Sequence, residues 1–244
     1  MHIRIRLAET GDAGAVLAVY APYVRDTTVS FELRVPSAEE YAQRIAQGRE
    51  HGTYLVVEMQ EGENDAWRIV GFATYGAFGH RAAYRWSAET SIYIDESCTG
   101  KGVGAVLLDC LERIMHASGI VTSEACICSE NTGSIAFHQR HGYRICGEHR
   151  DCASKFGRWL SIQWLEKHLG PRDPDPVAPA PCGLEMQEHL VAKANKALEM
   201  QVSQVVHRRA TATVRPPHAG TGGRITHPGR RTQTTGCRAV RRAH

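Results

Sequence analysis

Ile3-Arg4-Ile5-Arg6-Leu7 alternates apolar and charged side chains at every residue, the period of a strand with one buried face. Helical spacing comes next in Ala15, Val16, Val19 and Tyr20, a helix that Thr10 or Asp12 can cap and that Pro22 is expected to stop. Pro36-Ser37 opens a second helix to about Arg49, with Glu39 and Glu40 in the first turn, where acids suit the helix dipole. Residues 54–59 and 67–75 read as a hairpin around the polar turn 61–65, and residues 87–94 as a further strand. Gly100-Lys101-Gly102-Val103-Gly104 runs into a helix bearing Val106, Leu107, Leu111 and Ile114. Residues 121–128 form a strand, 132–141 a helix introduced by Asn131, and 143–148 and 159–165 closing strands. Hairpins mixed with crossovers predict a three-layer α/β domain.

The pattern breaks after Gly170. Residues 171–183 are rich in proline and predict a stiff, extended linker. Leu190, Val191, Ala194, Leu198, Val202 and Val205 recur at helical spacing and predict an amphipathic helix over 184–206. Residues 207–244 hold nine arginines, no acid and little aliphatic content, which predicts a disordered basic tail. The formal charge of +3 over 244 residues therefore describes no part of the chain, because residues 1–170 are net acidic. No apolar run approaches the roughly 20 residues that cross a bilayer, and the first residues lack the apolar core of a signal peptide. A cytoplasmic protein without a membrane partner is expected. The eight cysteines show no C-x-x-C pair, so no metal is expected and the thiols should be reduced.

A strand, a glycine-rich turn and a helix start make an anion site, since close backbone approach gathers N–H groups and the helix dipole adds positive charge. Gly100, Gly102 and Gly104 supply that geometry, and Lys101 adds a cation. The segment alone also fits a plain turn packing a helix on a sheet. It lacks the GK[ST] ending of a P-loop. A dinucleotide reading through Gly100, Gly102, Ala105 and Glu124 is weakened by the roughly 90 residues before it.

Five segments together change this reading. Ile92-Tyr93-Ile94-Asp95 with Thr99 through Ala105, and Asn131-Thr132-Gly133-Ser134 with Phe137-His138 and Gly142-Tyr143, resemble the GCN5-related N-acetyltransferases. Thr27-Thr28-Val29-Ser30-Phe31, Ala83-Tyr84-Arg85-Trp86-Ser87-Ala88-Glu89 and Lys155-Phe156-Gly157-Arg158-Trp159 are similar to the phosphinothricin and methionine sulfoximine/sulfone acetyltransferases. The resemblance implies a domain over 1–170 with a mixed, mostly antiparallel sheet flanked by helices. It also implies acetyl-CoA as co-substrate, a homodimer, and a small amino-acid acceptor of the phosphinothricin or methionine sulfoximine/sulfone type, with an enzyme of the same family acting on another amine as the alternative. By the same resemblance, Ile92, Tyr93 and Ile94 bond the pantetheine arm through their backbone. Thr99, Gly100, Lys101, Gly102, Val103, Gly104 and Ala105 hold the pyrophosphate, and Asn131 and Ser134 border the arm. Thr99 departs from the Gln or Arg usual in the family at that position.

Transfer to an amine needs a base, a polarised thioester carbonyl and a proton for the departing thiolate. Glu89 shares a strand face with Ser87, Ser91 and Tyr93 and is the candidate base; a solvent-facing Glu is the plain alternative. His138 stands where many relatives carry a Tyr that protonates the thiolate. It can serve as that acid, order a water beside Glu89, or be a packing residue. Asn131 fits a helix N-cap equally well. Phe78, Gly79, His80, Arg81 and Arg85 offer a loop whose guanidinium groups can hold a carboxylate, with Phe31 and Trp86 as walls or core residues. Lys155 and Arg158 close the site or are solvated charges. A different class, nucleic-acid binding, rests on the arginine tail alone; that tail has no aromatic residue for base stacking, and the folded domain is expected to bind none.

Overall fold

The computed structural model describes residues 2–212, with side-chain surroundings given to residue 200. Seven strands form one sheet in the order β1-β2-β3-β4-β5-β7-β6. They are β1 (His2–Leu7), β2 (Tyr54–Gln60), β3 (Arg68–Ala77), β4 (Ser87–Ile94), β5 (Thr122–Cys128), β6 (Arg144–Lys155) and β7 (Arg158–His168). Every pairing is antiparallel except β4 with β5.

Strand alternation assigns the two faces. Tyr54 and Val56 of β2 pack with Phe72 under α1 (Ala13–Asp26) and α2 (Ala38–His51), whose Val16, Tyr20, Tyr41 and Ile45 complete that layer. Leu55, Val57 and Met59 turn the other way, onto Leu107, Leu111 and Ile114 of α3 (Val103–Ala117). A smaller cluster joins Leu108, Ala125, Ile127 and Leu165 to Ile135 and Phe137 of α4 (Thr132–Arg140). Ser37 caps α2 as expected, accepting from the Glu40 N–H, and the structure adds a reciprocal bond in which Glu40 reaches back to the Ser37 N–H.

Two expectations need correction. Pro22 does not stop α1, which continues to Asp26 because buried Val24 keeps the last turn docked; the proline removes one backbone donor without ending the helix. The second concerns the C-terminal side of Gly170, expected to be an extended linker and an amphipathic helix outside the acetyltransferase domain; the helix is present. One compact unit instead spans Met1–Val206. Cys182 and, from α5 (Leu184–Ala212), Val191, Ala194 and Leu198 are buried in the same core as Leu55 and Leu111. Asn195 accepts from the Ile5 N–H (2.6 Å) and donates to the Ile5 carbonyl (2.9 Å), filling a peptide's place along edge strand β1. The apolar stripe seen in the sequence is thus a docking face, and a chain ending at 170 would leave that part of the core open. Helix α5 continues six residues into the segment expected to be disordered. The rest of that segment, 213–244, lies outside the described residues.

Candidate active site

Strands β4 and β5 pair only from Ser87–Thr122 through Glu89–Glu124. Beyond that point β5 continues along β7, and β4 has no strand on its β5 side among the described residues. The divergence opens a cavity of about 660 Å³. It is bordered by Ile92, Tyr93 and Ile94, by the glycine loop, and by Asn131, Ser134 and His138. A second cavity, of about 830 Å³, lies on the α1/α2 side, and Glu89, Ser91 and Tyr93 line both.

The loop has the conformation an anion cradle requires. Asp95 accepts from the Ser97 N–H and starts a short turn. Gly100 (φ +73°) and Gly102 (φ +79°) then adopt the left-handed region, and Gly102 is the N-cap of α3. A Cβ at Gly100 would meet nothing within 4 Å, so its open side is available to a ligand. Helix α3 starts directly after this loop, and a helix start offers backbone N–H groups and the positive end of its dipole to an anion. The components differ in what they offer. Val103 is buried and can present only its backbone. The Lys101 side chain is exposed and outside the cavity lining. The Thr99 hydroxyl donates to the Glu96 carbonyl (2.9 Å), so it is already committed.

At the join of the cavities the Glu89 carboxylate has no hydrogen bond or ion pair among the described residues, and burial raises its pKa. Its in-register neighbour Glu124 is pushed up to about 7, by burial first and then by Glu166 and Glu89. His138 is 3% exposed, with Nδ1 2.9 Å from the Ser134 carbonyl. An Nδ1–H donating there leaves Nε2 as a bare acceptor, and burial lowers the ring's pKa, favouring neutral imidazole. That state fits accepting a proton or ordering water better than supplying one. Asn131 caps α4, accepting from the Ser134 N–H (3.1 Å), and also borders the cavity, so both of its expected roles are compatible.

The cavity on the α1/α2 side collects Gly79, His80, Arg81 and Arg85, four of the residues the sequence grouped in one loop. Several expected residues lie elsewhere. Phe31 lines neither cavity. Phe78 packs edge-on against Tyr84 and Trp164 outside the lining. Trp86 donates from Nε1 to the Val177 carbonyl (2.9 Å). Lys155 is buried, donating to the Val24 and Ser30 carbonyls (2.7 and 2.6 Å), so it staples the loop after α1 and does not close the site. Arg158 pairs with Glu130 on the surface. The residues missed are the aromatic floor (Tyr20, Tyr41, Tyr54 and Phe72) and Arg44, which is paired with Glu32 (2.6 Å). Tyr23 was missed too; its hydroxyl donates to the Ile94 carbonyl (2.5 Å). Tyr20 and Tyr23 lie just before the Thr27–Phe31 segment and the others lie farther from any motif, and in the sequence all look like ordinary core or surface positions.

Comparison with known proteins agrees with this geometry. A family model described as an acetyltransferase (GNAT) domain matches residues 5–164. The chain is 33% identical over 172 residues to an L-methionine sulfoximine/L-methionine sulfone acetyltransferase of Pseudomonas paraeruginosa, covering 70% of this chain and 97% of that one. It is 28% identical over 168 residues to a phosphinothricin N-acetyltransferase of Streptomyces coelicolor, covering 69% and 97%. Among solved structures, a GNAT superfamily phosphinothricin acetyltransferase from Sinorhizobium meliloti in complex with AcCoA superposes with a TM-score of 0.65 at 30% identity, covering 72% of this chain and 94% of that one. With its split β4–β5 pair, glycine cradle and motif residues in place, the chain belongs to the GCN5-related N-acetyltransferase (GNAT) family of acetyl-CoA-dependent enzymes.

Proposed function

We propose that this enzyme acetylates the α-amino group of a small amino-acid analogue of the phosphinothricin or methionine sulfoximine/sulfone type. The observation that carries the reading is the position of Glu89. It is a carboxylate of raised pKa, with no partner among the described residues, where the cofactor cavity meets a cavity bearing Arg81 and Arg85. An ammonium must lose a proton before it can attack, and a desolvated carboxylate takes that proton more readily than an exposed one. Arg81 and Arg85 supply guanidinium groups for the acceptor's carboxylate, which orients its amine. Bound acetyl-CoA supplies the acetyl thioester. Gly100, Gly102 and the first turn of α3 would hold its pyrophosphate, and the exposed edge of β4 would hold its arm and polarise the carbonyl. Neutral His138, tied through Nδ1, orders water beside the reacting groups. The names of the relatives support the acceptor class.

The test is thiol release from acetyl-CoA across an amine panel. Phosphinothricin, methionine sulfoximine and methionine sulfone should be the best acceptors; better turnover of an unrelated amine would overturn the assignment. We further propose a cytoplasmic homodimer that buries exposed Phe156 and Trp159 at the β6–β7 turn. Free thiols at exposed Cys146 and Cys152 suit a reducing compartment. Among the described residues no helix is long and apolar enough to cross a membrane. Light scattering in solution should give twice the chain mass.

A further inference from the structure

The family model ends at residue 164, and the relatives match about 70% of this chain while being covered almost completely themselves. Residues 177–200, beyond that match, pack into the core and reach back to the active site. Pro179, Ala180 and Pro181 line the same cavity as Glu89 and Arg81. We propose that residues 177–182 form a strap that builds the apolar end wall of the acceptor cavity. Acceptor choice in this enzyme would then depend on a segment outside the acetyltransferase domain. The inference rests on the acceptor reading proposed for Glu89 and the two arginines.

The strap is anchored along its length. Trp86, three residues before Glu89, donates to the Val177 carbonyl (2.9 Å). Ser118, at the end of α3, accepts the Ala180 N–H on its carbonyl (3.0 Å) and the Cys182 N–H on its Oγ (3.0 Å). Tyr75 donates to the same Oγ (3.2 Å), tying the anchor to β3 in the floor of the cavity. Gln187 donates to the Cys182 carbonyl (2.7 Å), and buried Cys182, Val191, Ala194 and Leu198 fix the far end to the core.

Close approach is built in. Gly119 is left-handed (φ +86°), and a Cβ there would come within 3.2 Å of the Pro179 Cα. Two prolines limit the strap's conformations, so holding it in place costs little further entropy. Its chemistry is neutral. Pro179, Ala180 and Pro181 bring no charge to a lining that also holds Ile120 and, from other segments, Arg44, Arg81 and Arg85. An acceptor held in this cavity by its carboxylate would pack its uncharged side chain on this neutral wall, which would set the length accepted.

The test uses the full chain and two opposite changes. Pro179→Gly with Pro181→Gly loosens the wall, and Ala180→Phe thickens it. Turnover is compared for methionine sulfone and a homologue with two more methylenes. The double variant should raise the long-to-short ratio of kcat/KM at least tenfold, and Ala180→Phe should lower it at least fivefold. KM for acetyl-CoA should stay within twofold in both. Ratios within twofold of wild type in variants with native circular dichroism would overturn the proposal. If wild type prefers another amine, the amino-acid assignment fails, and the strap is judged on that amine and its lengthened homologue by the same criteria. Calorimetric binding of each pair gives the ratio without turnover, so a lost reaction and an absent wall are separate results.

Discussion

The two cavities that meet at Glu89 are built from different materials. The cofactor side is mostly backbone: two left-handed glycines, the first turn of α3, the edge of β4 that β5 leaves, and the cap of α4. The acceptor side is mostly side chains, drawn from α1, α2, β2, β3, the loop before β4 and the strap beyond the family domain. An invariant polyanion can be held by N–H groups whose positions follow from a short contiguous stretch. A variable acceptor must be read by side chains converging from distant segments. The first design fixes the cofactor; the second can change the acceptor without disturbing it.

Glu89 belongs to both sides, so altering it should produce the largest loss. Glu89→Gln keeps the shape but cannot take a proton, and kcat/KM should fall by about 10²–10⁴, the usual contribution of a positioned base. Acetyl-CoA affinity by calorimetry should not move. The carboxylate must be ionised to act, and its pKa is raised, so the acid limb of the wild-type pH–rate profile should lie above the ordinary carboxylate range. The Gln variant should lose that limb. An unchanged limb would assign it to another group, Glu124 first, since Glu124 is pushed up to about 7 beside it.

Two smaller changes should separate the halves. Gly102→Ala puts a Cβ on a residue at φ +79°, strain of roughly 1–2 kcal/mol that the loop relieves only by moving its N–H groups. KM for acetyl-CoA should rise about tenfold with acceptor KM unchanged. Arg81→Ala should do the reverse, raising acceptor KM about fivefold, because an exposed guanidinium is already well solvated before it binds. If either substitution moved both constants equally, the division between the cavities would be wrong.

The same division governs how much could be read without coordinates. Strand β4 and the helix starts at Ser37 and Asn131 follow from alternation, glycine spacing and capping, all local signals. So does the cradle. Local signals fail where tertiary packing decides. Pro22 marks a stop in isolation, yet burial of Val24 carries α1 past it. Lys155 looks like a surface charge, but two carbonyls satisfy it in the interior. The stripe on α5 showed that it had an apolar face, and nothing local showed that β1, through Ile5 and Asn195, would receive it.

The smallest expected effect lies at Thr99, where the chain departs from its family's usual Gln or Arg. A missing phosphate-facing group suggests weaker cofactor binding. The structure adds an opposing consideration, because the Thr99 hydroxyl donates to the Glu96 carbonyl and stiffens the turn that delivers Gly100. Thr99→Gln exchanges that hydrogen bond, a net contribution of about 1 kcal/mol, for an amide that can reach a phosphate oxygen at similar gain. Near cancellation is expected, with KM for acetyl-CoA falling no more than about twofold and acceptor KM unchanged. A tenfold fall would mean that side chains, and not the backbone cradle, limit cofactor binding here. The contrast between a backbone-built and a side-chain-built cavity would then hold only for the shape of the loop and not for its affinity.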